Sequence, residues 1–253
     1  AADLSALAGA TVNLTMNNTA GNFTGVNDDY GLKVLSNGAN SVATANVTDG
    51  TFDNAGVDAV NVLGTALGTA NVNLTNTGGN NAGNDGIHAV ADNGIVNLEV
   101  TGSSAVPVGF NNAGVNGFDG LAQNAGTLNA CLEYTNFNGA LTGNGMQILA
   151  TGAGSKAVFN LDNVHVNNTV LAGGLVGQGT AGGELDLRAV SSQFDGSLGG
   201  DGVMITADAG GRALSLFSQS SASNNSANGF NFQAATAGYL SARLDTITAT
   251  GNG

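Results

Sequence analysis

The feature that most constrains this chain is a strand-like stretch, Gly31-Leu32-Lys33-Val34-Leu35, that returns about every 28 residues to the end of the sequence. It comes back as Ala59-Val60-Asn61-Val62, Gly86-Ile87-His88-Ala89-Val90, Gly120-Leu121, Gly145-Met146-Gln147-Ile148, Gly174-Leu175-Val176, Gly202-Val203-Met204-Ile205 and Gly229-Phe230-Asn231-Phe232, at spacings of 28, 27, 34, 25, 29, 28 and 27. A repeat of this period means a solenoid, in which each unit buries its apolar face against its neighbours. No linker interrupts the series, so residues 1–253 read as one domain.

Three further columns fill each repeat. Apolar-polar-apolar triplets precede the glycine-led stretch: Val12-Asn13-Leu14, Ala45-Asn46-Val47, Val72-Asn73-Leu74, Val96-Asn97-Leu98, Ala130-Cys131-Leu132, Phe159-Asn160-Leu161, Leu185-Asp186-Leu187, Leu214-Ser215-Leu216 and Ala242-Arg243-Leu244. This period-two alternation is the mark of a strand with one buried face. A file of large residues lies between: Phe23, Phe52, Phe110, Phe137, Val166, Phe194, then Ser223 and Ile247, mostly trailed by Asn or Asp. Lastly Asp58, Asp85, Asp119, Asn144, Asp201 and Asn228 stand directly before Gly, or once before Ala59. Asx-Gly is the sequence for a bend through positive φ, where other side chains clash.

Each repeat therefore reads as three short strands separated by bends. The expected fold is all-β, a single-stranded right-handed parallel β-helix of about nine rungs of roughly 28 residues, its handedness following from that of parallel crossovers. A helical solenoid is excluded because no window places apolar residues at i, i+3, i+4 and i+7 over ten residues, and Gly and Asn recur too densely. The Leu-x-x-Leu-x-Leu frame of leucine-rich repeats is also missing.

The recurring aromatic, Asn and Asp-Gly-Ile/Val/Leu pattern resembles the right-handed parallel β-helix repeats of the pectate-lyase-like superfold along essentially the whole chain. That resemblance implies the fold without choosing a function, since the superfold hosts lyases, hydrolases, tailspikes, adhesins and surface proteins. Polysaccharide-degrading members need clustered carboxylates with Arg or Lys on an outer strand face. Here that face carries Lys33, Asn61, His88, Ala122, Gln147, Val176, Met204 and Asn231. Asp28-Asp29 faintly resembles the paired acids of polygalacturonase-like hydrolases, but the Gly-His-Gly and Arg-x-Lys elements are missing. His88 and His165 read as exposed strand residues, and no catalytic constellation is assigned.

Composition narrows the partners. Net charge is −13 with five Lys and Arg, so no basic patch can form for nucleic acid or anionic lipid. Cys131 is alone, which excludes an internal disulfide and a cysteine-based metal cage, and its scarcity fits an exported, extracellular or cell-surface protein. No apolar run approaches membrane-spanning length. The file Asp58, Asp85, Asp119 is the candidate metal site. Like charges stacked about 5 Å apart repel by roughly 3 kcal/mol at an effective dielectric of 20, and calcium with oxygen ligands would reverse that sign. Thr15, Thr48 and Thr75 start an outward column that Glu99, Glu133, Asp162, Arg188 and Phe217 break up, and residues 103–116, with the sole proline, make the longest loop.

The first residues, Ala1 to Leu14, already read as a rung, and Ile247 to Gly253 stop in an Asn-Gly turn in phase with it. Rung edges without caps recruit other strands, and a head-to-tail contact that does not close makes filaments. The expected function is a non-enzymatic structural subunit of an extracellular fibre, surface layer or adhesin, pairing Ala1–Leu14 of one copy with Ile247–Gly253 of the next. The alternative is a carbohydrate-active or carbohydrate-binding β-helix, for which the absence of Trp and the presence of three Tyr leave few stacking platforms.

Overall fold

The computed structural model describes residues 2–22 and 29–253, so Ala1, Phe23 and Asp28 of the expectations above lie outside the described residues. These residues coil into a parallel β-solenoid with no helix among them. One nine-stranded sheet stacks Ala2–Leu7, Leu32–Asn37, Val60–Thr65, Ile87–Asp92, Phe118–Gln123, Met146–Thr151, Leu175–Thr180, Val203–Ala207 and Phe230–Ala234. A second stacks Thr11–Asn17, Val42–Thr48, Thr69–Thr75, Ile95–Thr101, Thr127–Glu133, Lys156–Asp162, Glu184–Val190, Arg212–Ser218 and Tyr239–Asp245. Ala2 and Phe230 occupy equivalent places eight turns apart, so a turn takes about 28 residues.

The expected third strand is reduced. It survives as the pairs Ala20–Asn22 with Thr51–Asp53 and Val108–Gly109 with Thr135–Asn136, and elsewhere as single bridges linking Asn136, His165, Gln193, Ser221 and Thr248. Side chains alternate along both long sheets, one buried and the next half-buried, as in Ile87–Asp92 and Met146–Thr151. The interior is filled by Leu, Val, Ala and Phe, with Phe118 set edge-on to Phe137 and Phe159 at centroid distances of 5.9 and 5.4 Å.

The structure corrects the sequence register at two rungs. Phe118 pairs with Ile87 below and Met146 above, so the leading glycine of that rung is Gly117 and not Gly120, and the steps are 31 and 28 residues. Asn116-Gly117 and Asp119-Gly120 are both Asx-Gly dipeptides, and burial of the Phe118 ring decides between them. Gly120 points inward instead, where a Cβ would stand 2.7 Å from Phe118 and 3.1 Å from Phe159. At the other rung, Ala213, Ser215 and Phe217 face inward, so the triplet Leu214-Ser215-Leu216 is turned over. Burying Phe217 completely leaves both leucines half exposed and leaves the buried Ser215 Oγ with no hydrogen-bond partner.

The Asx-Gly bends also work differently from expectation. Gly31, Gly86, Gly117, Gly145, Gly174, Gly202 and Gly229 do not have positive φ. They are glycines because a Cβ would collide with main chain or side chains packed against the bend, which at Gly31, Gly86 and Gly117 include the Cβ atoms of Phe52, Phe110 and Phe137. A Cβ on Gly117 would lie 2.7 Å from Phe137 Cβ and 2.6 Å from the Gly145 carbonyl, and one on Gly86 would lie 2.8 Å from Phe110 Cβ. The exception supports the reason, since Ala59 packs against Gly79, which holds the place where neighbouring rungs have Phe52 and Phe110. The left-handed backbone sits one corner away, at Asn54, Asn81, Asn112, Gly139, Asn168, Gly196, Asn224 and Gly251, with φ from 56° to 72°. Replacing Gly117 by Ala should destabilise the fold by about 1–3 kcal/mol through overpacking against Phe137, read as a lower urea midpoint with unchanged m value.

Candidate metal centre

The corner before the first sheet builds a ladder of side chains. At each rung an Asp or Asn oxygen accepts the main-chain N–H of its counterpart on the next: Asp58 Oδ1 from Asp85 at 3.1 Å, Asp85 Oδ1 from Asn116 at 2.9 Å, Asn116 Oδ1 from Asn144 at 2.8 Å, and Asn144 Oδ1 from Gly173 at 3.0 Å. The column therefore runs Asp58, Asp85, Asn116, Asn144. Of the expected file Asp58, Asp85 and Asp119, the first two are stacked as anticipated and the third is not in line with them, because the Gly117 register moves Asp119 onto the strand, paired with His88.

That displacement assembles a cluster. His88 Nδ1 lies 3.1 Å from Asp119 Oδ2 and 3.4 Å from Asp85 Oδ2. Asp85, His88 and Asp119 each offer one ligating atom, all within 4.8 Å of one another. Asp85 is 4 % exposed at its side chain, while His88 and Asp119 keep 27 % and 22 %, so the group opens to water on one side. Asp58 takes three donors: its Oδ1 accepts from Asn84 Nδ2 at 3.0 Å and from the Asp85 N–H, and its Oδ2 accepts from Asn61 Nδ2 at 2.7 Å. Asn61, one rung below His88 and paired with it, is itself buried and has an Oδ1 that finds no donor.

Burial disfavours a charged imidazole, yet the hydrogen bonds to Asp119 and Asp85, together with the charges of Asp119 and Asp58, outweigh it and push the His88 pKa up to about 10. At neutral pH the ring is a cation lodged among carboxylates. His88 is partly buried and paired, not the exposed strand residue that alternation suggests; the signal for it is a spacing of i, i+3 from the Asx corner, present in Asp58 to Asn61, Asp85 to His88 and Asn116 to Asp119.

The other candidates stay apart. His165 belongs to the chain of single bridges, and burial pulls its pKa down against the opposing charge of Asp195. Cys131 is half-buried on the outer face of the second sheet, in a shallow concavity with Asn73, Asn97, Glu99, Asn129 and Asn160. Burial and the charges of Glu133, Glu99 and Asp162 push its thiol up, away from the reactive thiolate. Thr48 and Thr75 share a column, but Thr15 pairs with Asn46 instead. Asp29 offers its carbonyl to the Val57 N–H, while its neighbour Asp28 lies outside the described residues. Within the 103–116 loop, Ser103 and Val106 close a tight turn by exchanging main-chain hydrogen bonds of 3.1 and 3.2 Å.

The fold defines the chain as a parallel β-solenoid repeat protein. No family model, curated protein or solved structure matches it.

The raised pKa has a signed consequence for stability. With an unfolded value near 6.5, the His88 contribution is fully present below pH 6.5 and is lost as pH rises through about 10. Denaturant midpoints should fall across that window, and His88→Gln should flatten the fall. An equal pH response in the two proteins would contradict the cluster.

Proposed function

We propose that this chain is an exported structural solenoid of the right-handed, pectate-lyase-like kind, serving as a subunit of a fibre, surface layer or adhesin. Assembly occurs by pairing the rung at one tip with the rung at the opposite tip of another copy. The observation that carries this reading is the in-register parallel stack, in which every rung pairs with a near copy of itself. Phe217 is fully buried, whereas Leu244, its counterpart one rung later, is 47 % exposed, and Phe230, Phe232 and Leu240 are only partly covered. Along both long sheets the backbone of each rung is hydrogen-bonded to the next, and a rung edge of this kind templates pairing with a further strand, here from another copy.

Charge favours this direction of growth. With net charge −13, copies repel one another side by side, while the interior columns of the terminal rungs carry the partly covered Leu14, Phe232 and Leu244. A head-to-tail contact of this kind stays open and produces rods. Size-exclusion chromatography with light scattering and negative-stain imaging test it. The expected result is rods of one solenoid's width and varied length, arrested to single copies by Leu244→Lys, which introduces a charge into the interface and leaves the preceding rungs unchanged. A wild-type chain that stays a monodisperse 24.7 kDa monomer at every concentration would overturn it.

A further inference from the structure

We infer that Asp85, His88 and Asp119 form a site for one divalent ion of the zinc class, bound through Asp85 Oδ2, His88 Nδ1 and Asp119 Oδ2. The geometry is close to what such an ion needs. Ligands at about 2.0–2.2 Å from a first-row dication lie roughly 3–3.5 Å from each other, and His88 Nδ1 already sits 3.1 and 3.4 Å from the two carboxylate oxygens. All three atoms converge within 4.8 Å, so a small carboxylate rotation closes the set.

A second observation is independent of the acids. Asn61, 4 % exposed and paired in register with His88, keeps a buried Oδ1 with no donor, although its Nδ2 is spent on Asp58. Burying an amide oxygen without a partner costs free energy, and a cation held by His88, its partner in register on the next rung, lessens that cost. Asp58 plays a different part: with three donors on its two oxygens it holds Asn61, Asn84 and the Asp85 backbone in place.

The donor set selects the ion. Calcium takes six to eight oxygens, whereas one imidazole with two carboxylates suits zinc and its neighbours, and water fills the positions on the open side. An arriving dication displaces the proton from His88 Nδ1 to solvent and takes its place between the two carboxylates. The ion would thereby tie two successive rungs together through side chains, in addition to their backbone ladder.

The chain has two histidines, which makes the test direct. Long-range 1H–15N spectra of the imidazole rings are recorded on the full chain while zinc is added at mildly alkaline pH. His88 Nδ1 should shift to the metal-bound range at one equivalent while His165 is unmoved, and calcium should move neither. Calorimetry should give one site, weakened at least tenfold in His88→Gln and in Asp119→Asn, with folding of each confirmed by circular dichroism. Shifts of both rings alike, no shift at saturating zinc, equal shifts with calcium, or undiminished one-site heat in either folded variant would overturn the assignment.

Discussion

The structure depends on one constraint: each residue of a rung lies over its counterpart on the next, held by parallel backbone pairing with no slip along either long sheet. In a parallel ladder the spacing between strands is about 4.8 Å, so every choice of side chain is repeated against a near copy of itself. Favourable stacks are thereby multiplied, and so are unfavourable ones. The apolar interior and the corner ladders of Asx residues exploit this, since an Asx oxygen that accepts the next rung's N–H satisfies a donor that the bend would otherwise strand.

The same constraint governs charge. Two carboxylates one rung apart repel by about 3 kcal/mol at an effective dielectric of 20, and the second corner ladder avoids this by running Asp53, Asn80, Asn111, Asn138, Asn167, Asp195. On the second sheet Lys156, Glu184 and Arg212 alternate in sign at 3.4 Å contacts, and Arg212 continues onto the Tyr239 ring. Asp58 on Asp85 is the place in the first corner ladder where acid follows acid directly, and it is there that His88 and the amides of Asn61 and Asn84 gather. The cluster is thus a local solution to an electrostatic conflict that the fold creates, and its open side leaves room for an ion to serve in place of the proton.

Most of the architecture is legible in the sequence because the repeat period, the alternation and the aromatic file are each sampled many times. Errors arise where a rung departs from the average. A chain with two Asx-Gly dipeptides three residues apart offers two registers, and local chemistry cannot separate them; the volume of the Phe118 ring in a filled interior does. Ser215 misleads for a similar reason, because alternation prefers leucine inside while the burial of Phe217 outranks it. The site is half legible: Asp85 and Asp119 stand out in the Asx-Gly pattern, whereas their meeting at His88 needs the register that the aromatic packing sets. The glycines at these bends serve close packing, in which a Cβ has no room, and not a special φ.

Vertical alignment can be measured through the single native thiol. Cys131 is paired in register with Asn160 on the next rung, so a thiol at Asn160→Cys stands about one strand spacing away, while one at Val158→Cys is displaced by two residues on the same outward face. Treatment with a short bifunctional thiol reagent, followed by mass analysis of the cross-linked peptide, should join Cys131 to position 160 rapidly and within one chain, and to position 158 far more slowly. Equal rates, or a preference for position 158, would contradict the in-register stack on which the fold, the corner ladders and the histidine cluster rest.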